Sequence, residues 1–298
     1  MMRIACSGIT WNYFARDHGL PAPSLDDILA EIAQLGYVGS PASVTQPVQE
    51  TLACFGRHGL TPAPGYFSAA FWDAAQQEAI LADAERAARA SAALGCSELF
   101  VAANGFSWVT PGGETRQQRA GRVRSEDGLD DAGMRQFAET LNAVGEITLG
   151  HGVSSCFHNH VGSLIETREE IDHLFALVDP NLVFHGPDLG HLAWAGADPV
   201  AYLRAYGQAV RSLHIKDYRE TVRAEGIASG WDYSGFSEHG IWTEIGQGDI
   251  EWGATFALLQ AQGYDGWVIV ETDDTQRVSA FESALISRDG LQRLGVWE

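Results

Sequence analysis

The chain has 298 residues, of which 45% are hydrophobic and 19% are charged, and 39 acidic against 19 basic side chains give a formal net charge of −20. This composition supports a large buried core and excludes a disordered or collagen-like chain. Nucleic acids and anionic membranes are poor partners for so acidic a protein, because both select basic surfaces.

Apolar segments rich in β-branched and aromatic residues alternate with amphipathic helical patterns along the chain. The predicted strands are residues 3–11, 37–43, 60–67, 98–103, 153–160, 182–188, 210–217 and 267–272. The first predicted helix begins after Ser24 and ends at Gly36. The later ones are residues 74–94, 131–149, 167–178, 199–206, 252–262 and a segment from about 280.

Local signals support several of these boundaries. Ser24 is a typical N-cap because acidic residues follow in the first turn. The similar segments LGYVG (35–39) and QGYDG (262–266) each place a glycine where a predicted helix meets the next strand. Such glycines are typical of turns that connect a helix to a strand.

Eight strands that alternate with helices, without a composition break or linker, predict one domain over residues 1–298 with the fold of a (β/α)₈ TIM barrel. A doubly wound open sheet is the alternative. It is disfavoured because no G-x-G-x-x-G motif follows any strand.

Two segments, residues 104–128 and 219–240, are predicted as long loops at the carboxyl ends of strands, the face where barrel active sites lie. The first carries four arginines, for which we consider a solvated or subunit-contacting role and a substrate-contacting role. These are Arg116, Arg119, Arg122 and Arg124.

The four cysteines lie far apart and form no C-x-x-C motif, so we expect free thiols in a reducing compartment. The chain has no run of about 20 apolar residues, and its first residues do not form an export signal. We therefore expect a cytoplasmic protein that does not contact a membrane.

Eight of the ten histidines lie between residues 151 and 239, and several occupy strand ends. The fifth strand ends with His158 and His160, which point to the same side because side chains alternate along a strand. The sixth ends at Asp188, with His191 predicted in the loop that follows.

The seventh strand ends with the same-side pair His214 and Lys216, and the eighth ends at Glu271. Four neighbouring strands thus place His158, Asp188, His214 and Glu271 at one rim. Such a nitrogen and oxygen donor set predicts a site for a divalent metal ion, with Mn²⁺ or Co²⁺ favoured and Zn²⁺ or Mg²⁺ as alternatives.

Lys216 is the only lysine in the chain, whereas the other 18 basic residues are arginines. Lysine is a compact ammonium whose pKa falls readily on burial. We expect Lys216 to bind a substrate oxygen or to transfer a proton.

Three further residues are candidates for substrate binding. Glu244 lies in a turn before the seventh helix, where it contacts the substrate or shapes the turn. Trp11, near the end of the first predicted strand, and Tyr66 are candidates for the pocket wall.

The sequence resembles the xylose isomerase-like TIM barrels, or sugar phosphate isomerase/epimerase superfamily, and within them the inosose (2-keto-myo-inositol) dehydratase branch. The resemblance rests on FHNHVGSLIET (157–167), PDLGHLAWAGADPV (187–200), SLHIKDY (212–218), EIGQGDIEW (244–252) and GYDGWVIVETD (263–273). These segments cover roughly the C-terminal half.

The resemblance implies metal ligands at Asp188, His214 and Glu271. At the first ligand position the family usually has Glu, and this chain has His158, with Asn159 and His160 as alternative ligands. The two histidines that handle protons in the family correspond to His160 and His191. The DNA-repair endonuclease branch of the family is disfavoured by the charge of −20.

The resemblance implies an enzyme that acts on a keto-sugar or keto-polyol through a metal-stabilised enediolate, with His160, His191 and Lys216 as catalytic candidates. Dehydration of a 2-keto-inositol-like substrate is the favoured reaction. The alternatives are a sugar (phosphate) isomerase or epimerase, a β-eliminating lyase on 3-keto-glycosides, and a sugar-binding protein without catalytic activity. A homo-oligomer is left open.

Overall fold

The computed structural model describes residues 2–297. Its strands are β1 (Arg3–Cys6), β2 (Gly39–Pro41), β3 (Thr61–Ala63), β4 (Tyr66–Ala69), β5 (Glu98–Ala103), β6 (Ser154–His158), β7 (Val183–His185), β8 (Ser212–Ile215), β9 (Asp217–Tyr218), β10 (Trp242–Thr243) and β11 (Trp267–Val270).

The α-helices are α1 (Ile9–Asp17), α2 (Leu25–Gln34), α3 (Val48–His58), α4 (Gln77–Ala93), α5 (Asp131–Gly150), α6 (Arg168–Phe175), α7 (Leu189–Trp194), α8 (Pro199–Tyr206), α9 (Glu220–Ser229), α10 (Tyr233–Glu238), α11 (Trp252–Ala261) and α12 (Ala280–Arg293). None of the helices in the described part of the chain is long and apolar enough to cross a membrane.

The parallel strands close into a barrel. One set pairs in the order β3-β2-β1-β11-β8 and the other in the order β4-β5-β6-β7. The third barrel strand is divided into β3, which pairs with β2, and β4, which pairs with β5. Parallel bridges from His185 to Val210 and from Asp188 to His214 join the two sets at the other seam. The predicted TIM barrel is confirmed.

Alternation along the strands separates two apolar layers. Residues such as Ile4, Val101 and Val268 face the surrounding helices and belong to the main core. Their neighbours face the barrel axis and form a small inner cluster. It consists of Ala5, Ala63, Phe100, Cys156, Trp267 and Ile269. Continuing this inner row by two residues leads to His158 and Glu271.

The predicted local signals are also confirmed. Ser24 caps α2 in a capping box with Asp27, in which each residue's side chain accepts the other's backbone N–H. Gly36 and Gly263 have positive φ values of 85° and 72°, which only glycine adopts without strain. All four cysteines are buried free thiols.

Several predicted elements are wrong. The first strand ends at Cys6 instead of residue 11, and α1 follows it; α3 was not predicted. His191 lies in α7 and not in a loop. The Asp188 carboxylate accepts a hydrogen bond from the backbone N–H of His191 and so caps the start of this helix. The predicted loop 219–240 contains α9 and α10, which pack around the buried Phe236.

Candidate active site

The carboxyl ends of the barrel strands open into a cavity of about 980 Å³. Its walls come from the strand ends and from four segments around the rim, namely α1, residues 104–117, α10 and residues 274–277. At or just beyond the strand ends, the lining side chains include Tyr66, His158, His160, His214, Lys216, Glu271 and Asp273.

The predicted metal ligands lie together: His158, His214 and Glu271 line this cavity, and Asp188 is fully buried beside them. Asp188 Oδ2 is 4.0 Å from both His158 Nε2 and His214 Nδ1, and His214 Nδ1 is 2.7 Å from Glu271 Oε2. All four residues are at most 9% exposed. The four side chains converge because they lie at the carboxyl ends of four neighbouring barrel strands.

The hydrogen bonding of these residues fits a cation. His158 Nδ1 and His214 Nε2 are buried and have no hydrogen-bond partner among the described residues, whereas His214 Nδ1 faces Glu271 Oε2 at 2.7 Å and Asp188 Oδ2 faces Lys216 Nζ at 3.3 Å. Buried polar atoms without partners are costly and rare in native proteins. Ligand atoms of His158, Asp188 and His214 lie within 4.8 Å of one another, and such a group of nitrogen and oxygen donors is suited to a divalent ion.

Lys216 lies beside this group and is 2% exposed. Its Nζ is 3.0 Å from Asp273 Oδ2, 3.3 Å from Asp188 Oδ2 and 3.7 Å from Glu271 Oε1. Burial by itself would lower the pKa of Lys216, but the three carboxylates outweigh it and raise this pKa well above its usual value. The side chain of Lys216 is therefore a buried cation.

The charge of Lys216 also acts on its acidic neighbours. Burial raises the pKa of Glu271, but Lys216 and His214 outweigh burial and hold it well below the usual value. The pKa of Asp273 is raised well above its usual value by burial and by the negative charge of Glu271, although Lys216 opposes the shift. The single ammonium of Lys216 thus partly neutralises Asp188, Glu271 and Asp273 together.

His160 and His191 lie side by side, with ring centroids 3.7 Å apart, and both contact the backbone of Val161. His160 Nδ1 is 2.7 Å from the Val161 carbonyl oxygen, to which it donates, so its Nε2 carries no proton in the neutral ring. The Val161 N–H donates to His191 Nδ1 at 3.3 Å. One peptide unit thus contacts both imidazoles.

Only one of these two histidines reaches the cavity. His160 lines it, and removal from water together with the charge of Lys216 lowers the pKa of His160 to about 4. His191 is fully buried behind it, with Nε2 3.4 Å from Lys216 Nζ. His191 contacts the catalytic candidates and not the cavity.

The three residues predicted for substrate binding have different positions. Tyr66 lines the cavity, and its ring lies edge-on to His158 at 5.3 Å. Trp11 does not, because it lies in α1 instead of a strand: the helix turns its indole toward α2, where Nε1 donates to Glu31 Oε2 at 2.6 Å. The expectation for Trp11 is wrong.

Glu244 is behind the cavity wall and 1% exposed. Its Oε1 accepts hydrogen bonds from the hydroxyls of Thr275 and Ser283, and its Oε2 accepts one from Arg277 Nε at 2.8 Å. These bonds tie the turn before α11 to the segment between β11 and α12. The structure thus supports the turn-shaping alternative for Glu244 and contradicts direct substrate contact.

The arginines of segment 104–128 serve the packing of that segment, and none of the four lines the cavity. Arg116 is fully buried and forms a bidentate pair with Glu170 at 2.7 and 3.0 Å. Arg122 donates to the carbonyl oxygens of Gly230 and Trp231, which joins this segment to the α9–α10 region. Arg116 and Arg122 therefore have neither a solvated or subunit-contacting role nor a substrate-contacting role.

Among the cavity residues that sequence reasoning missed are Tyr13, Tyr233 and Asp273. Asp273 could have been found, because it is two residues beyond Glu271 and continues the inner row. Tyr13 in α1 and Tyr233 in α10 belong to helices that were not predicted. Tyr233 lies parallel to His160, with ring centroids 5.9 Å apart and an angle of 17°.

The sequence model of a known family, described as xylose isomerase-like TIM barrel, matches residues 29–295. The chain belongs to this family. The family assignment made from the sequence motifs is therefore confirmed.

Relatives of this xylose isomerase-like TIM barrel include two bacterial inosose dehydratases. The inosose dehydratase of Geobacillus kaustophilus is 29% identical over 276 residues, which are 90% of this chain and 87% of that protein. The inosose dehydratase of Clostridium tetani is 33% identical over 159 residues, which are 53% of each chain.

Solved structures show the same fold at lower identity. The 3-keto-D-glucoside 4-epimerase of E. coli superposes with a TM-score of 0.69 over 99% of both chains at 16% identity. The probable 3-DHS dehydratase of Bacillus anthracis has a TM-score of 0.69 at 13% identity and covers 98% of this chain and 99% of that one.

Proposed function

We propose that this protein is a divalent-metal-dependent enzyme that removes water from an uncharged keto-polyol of the 2-keto-inositol type. The observation that carries the proposal is the convergence of His158, Asp188, His214 and Glu271 beside His160 and Lys216, all of which except the fully buried Asp188 line one cavity. The similarity to inosose dehydratases over 90% of the chain supports the choice of substrate and reaction.

The metal would be held by His158, Asp188, His214 and Glu271. When bound, a divalent ion supplies Lewis-acid polarisation of a ketone oxygen, which acidifies the neighbouring C–H and stabilises the negative charge left after its proton is removed. The partnerless buried nitrogens of His158 and His214 support this assignment, and ligand atoms of His158, Asp188 and His214 lie within 4.8 Å of one another.

His160 is assigned as the base. Its Nδ1–H is held by the Val161 carbonyl, so the Nε2 lone pair is available at the cavity. This nitrogen accepts the proton from the carbon next to the ketone. His191 is assigned a positioning role, because it supports the ring of His160 and does not reach the cavity.

Lys216 is assigned as hydrogen-bond donor and acid. Its ammonium lines the cavity and is protonated at neutral pH because three carboxylates surround it. It donates a proton to the departing β-hydroxyl, so that the C–O bond breaks with loss of water and a carbon–carbon double bond conjugated to the ketone forms. The proton taken by His160 then returns to solvent and Lys216 is reprotonated.

The charges at the cavity favour an uncharged substrate over a phosphorylated one. Each cationic side chain in the wall already has an acidic partner: Arg16 pairs with Asp17 and Asp274, and Arg277 pairs with Glu244. Lys216 pairs with Asp273. A phosphate would therefore meet no free cation and several carboxylates.

The second candidate is an epimerase or isomerase, since His160 and Lys216 would also serve a reaction in which the deprotonated substrate is reprotonated at carbon.

The test incubates the metal-loaded protein with 2-keto-myo-inositol in deuterium oxide. We expect enone absorbance to increase. Deuterium uptake without absorbance would indicate an epimerase or isomerase. Neither signal, together with binding of the polyol, would indicate a sugar-binding protein. Release of the aglycone from a 3-keto-glycoside alone would indicate the lyase.

A further inference from the structure

A second group of metal-ligating side chains lies outside the catalytic cavity, between α2 and α3. Asp26 is in the first turn of α2, and Cys54 and His58 are one helical turn apart on α3. Residues four apart occupy the same helix face. One carboxylate, one thiol and one imidazole from two helices therefore meet at a single point.

The distances suit a tetrahedral ion. Asp26 Oδ1 is 3.4 Å from Cys54 Sγ and 2.9 Å from His58 Nε2, and the three potential ligand atoms lie within 4.8 Å of one another. Zinc bonds of about 2.0–2.3 Å at tetrahedral angles place neighbouring ligand atoms about 3.3–3.6 Å apart. Small side-chain movements are enough to reach that geometry.

We propose that Asp26, Cys54 and His58 form a second, sulfur-containing metal site that binds Zn²⁺ and fastens α2 to α3. The Cys54 thiolate favours Zn²⁺ over the harder ions suited to the nitrogen and oxygen ligands of the catalytic cavity. On binding, the Cys54 S–H bond gives its proton to solvent and the sulfur forms a bond to zinc. Water completes the tetrahedron.

The ion can reach this point from solvent. Asp26 and Cys54 line a groove on the protein surface, and the side chain of Asp26 is 51% exposed. His58 forms the other side, with its side chain 19% exposed. None of the three residues belongs to the catalytic cavity, so this inference stands independently of the proposed function.

Arg57 is the competitor for this site. Its guanidinium donates to Asp26 Oδ1 from Nε at 3.1 Å and from Nη2 at 2.7 Å. The Arg57 side chain is 58% exposed, and ion pairs as exposed as this one contribute little to stability. The metal must displace Arg57 from Asp26, so removal of that charge should tighten metal binding.

The test uses Co²⁺ as a spectroscopic substitute for Zn²⁺ in the full-length, chelator-treated protein. A Co²⁺–thiolate bond absorbs in the near ultraviolet by charge transfer, whereas Co²⁺ bound by His158, Asp188, His214 and Glu271 has no sulfur ligand. We expect the band in the wild-type protein and its loss on added Zn²⁺. Cys54→Ser should abolish it, and Cys96→Ser, which changes another buried thiol, should retain it.

Affinity measurements provide the second criterion. His58→Gln and Asp26→Asn should weaken binding by more than the roughly 10–100-fold that loss of an outer partner costs. Arg57→Gln should tighten it roughly fivefold, the effect of one unit charge about 4 Å away in water. Absence of the band in the wild type, or its persistence in Cys54→Ser, would overturn the proposal. If Cys54→Ser does not fold, unchanged affinity in the more exposed His58→Gln variant would overturn it.

Discussion

Lys216 Nζ lies 3.0 Å from Asp273 Oδ2, and this contact joins the chain's only lysine to a carboxylate that continues the inner row of β11. Asp188 and Glu271 lie on other sides of the same ammonium. Lys216 therefore balances the negative charge of these three carboxylates. Their charge raises the pKa of Lys216, so that it is a hydrogen-bond donor at neutral pH.

Replacement of Lys216 by Met should destabilise the metal-free protein by about 3–5 kcal/mol, because Asp188 and Asp273 would remain buried without a cation. Urea denaturation measures the loss. Arg16→Met is the matched control: Arg16 also pairs with two aspartates, but its side chain is 58% exposed, so we expect a change within about 1 kcal/mol. Equal effects of the two substitutions would contradict the buried-cation role.

Asp188→Asn should remove both the bound metal and the turnover. The variant retains an oxygen to accept the His191 N–H and cap α7, but an amide replaces the second carboxylate oxygen beside His158 and His214. Metal analysis and the enone assay measure the two losses. Asp198→Asn changes an equivalent cap on α8 and should lose neither. Retention of metal at the wild-type level in Asp188→Asn would disprove the ligand assignment.

Glu166 should make stability depend on pH near neutrality. Its carboxylate accepts the backbone N–H groups of Gly121 and Gly162, and it faces Arg116 and Glu170. Burial raises the pKa of Glu166 from 4.5 to about 7, so the folded state keeps a proton that the unfolded state releases within this range. The contribution of Glu166 to the unfolding free energy is unaffected below pH 4.5 and falls by roughly 3 kcal/mol as the pH rises to about 7.

Comparison with Glu166→Gln isolates this contribution, because the amide does not titrate. The difference in unfolding free energy, wild type minus variant, should decrease between pH 4.5 and about 7. A difference that is constant or increases across this range would show that the pKa of Glu166 is not raised.

Trp11 and Tyr66 should differ in their effects on catalysis. Trp11→Phe removes the hydrogen bond to Glu31 and should cost about 1 kcal/mol of stability with kcat/KM unchanged. Tyr66→Ala removes a cavity wall and the ring beside His158, and should raise KM. Denaturation and steady-state kinetics distinguish the two. A raised KM in Trp11→Phe with unchanged stability would indicate that Trp11 does contact the substrate.

The positions of His158, His214 and Glu271 could be predicted because they depend on local alternation. His158 lies at the end of β6, His214 lies in β8 and Glu271 follows β11. The strand period of two places each on the inner face, two residues beyond Cys156, Ser212 or Ile269. The barrel prediction rests on the same regularity, since strands and helices alternate along the chain. Asp273 obeys the rule as well and could have been included.

Other features depend on contacts that no local pattern contains. Trp11 was a candidate for the pocket wall, and Glu244 was expected to contact the substrate or to shape its turn. The partners of their polar atoms decide both cases: Glu31 for Trp11, and Thr275, Arg277 and Ser283 for Glu244. The segment 219–240 looked like a loop because its two short helices depend on a distant segment for packing. Arg122, for example, donates to Gly230 across 108 positions of sequence.

The sequence by itself thus determined the barrel and the inner row of ionisable residues, because hydrophobic periodicity is a local property of each strand. Only the tertiary structure decided which of these residues face the cavity, which tautomer His160 adopts, and why Lys216 remains charged. Those properties arise from the partners that each polar atom meets after folding, and a buried polar group takes its behaviour from its partners.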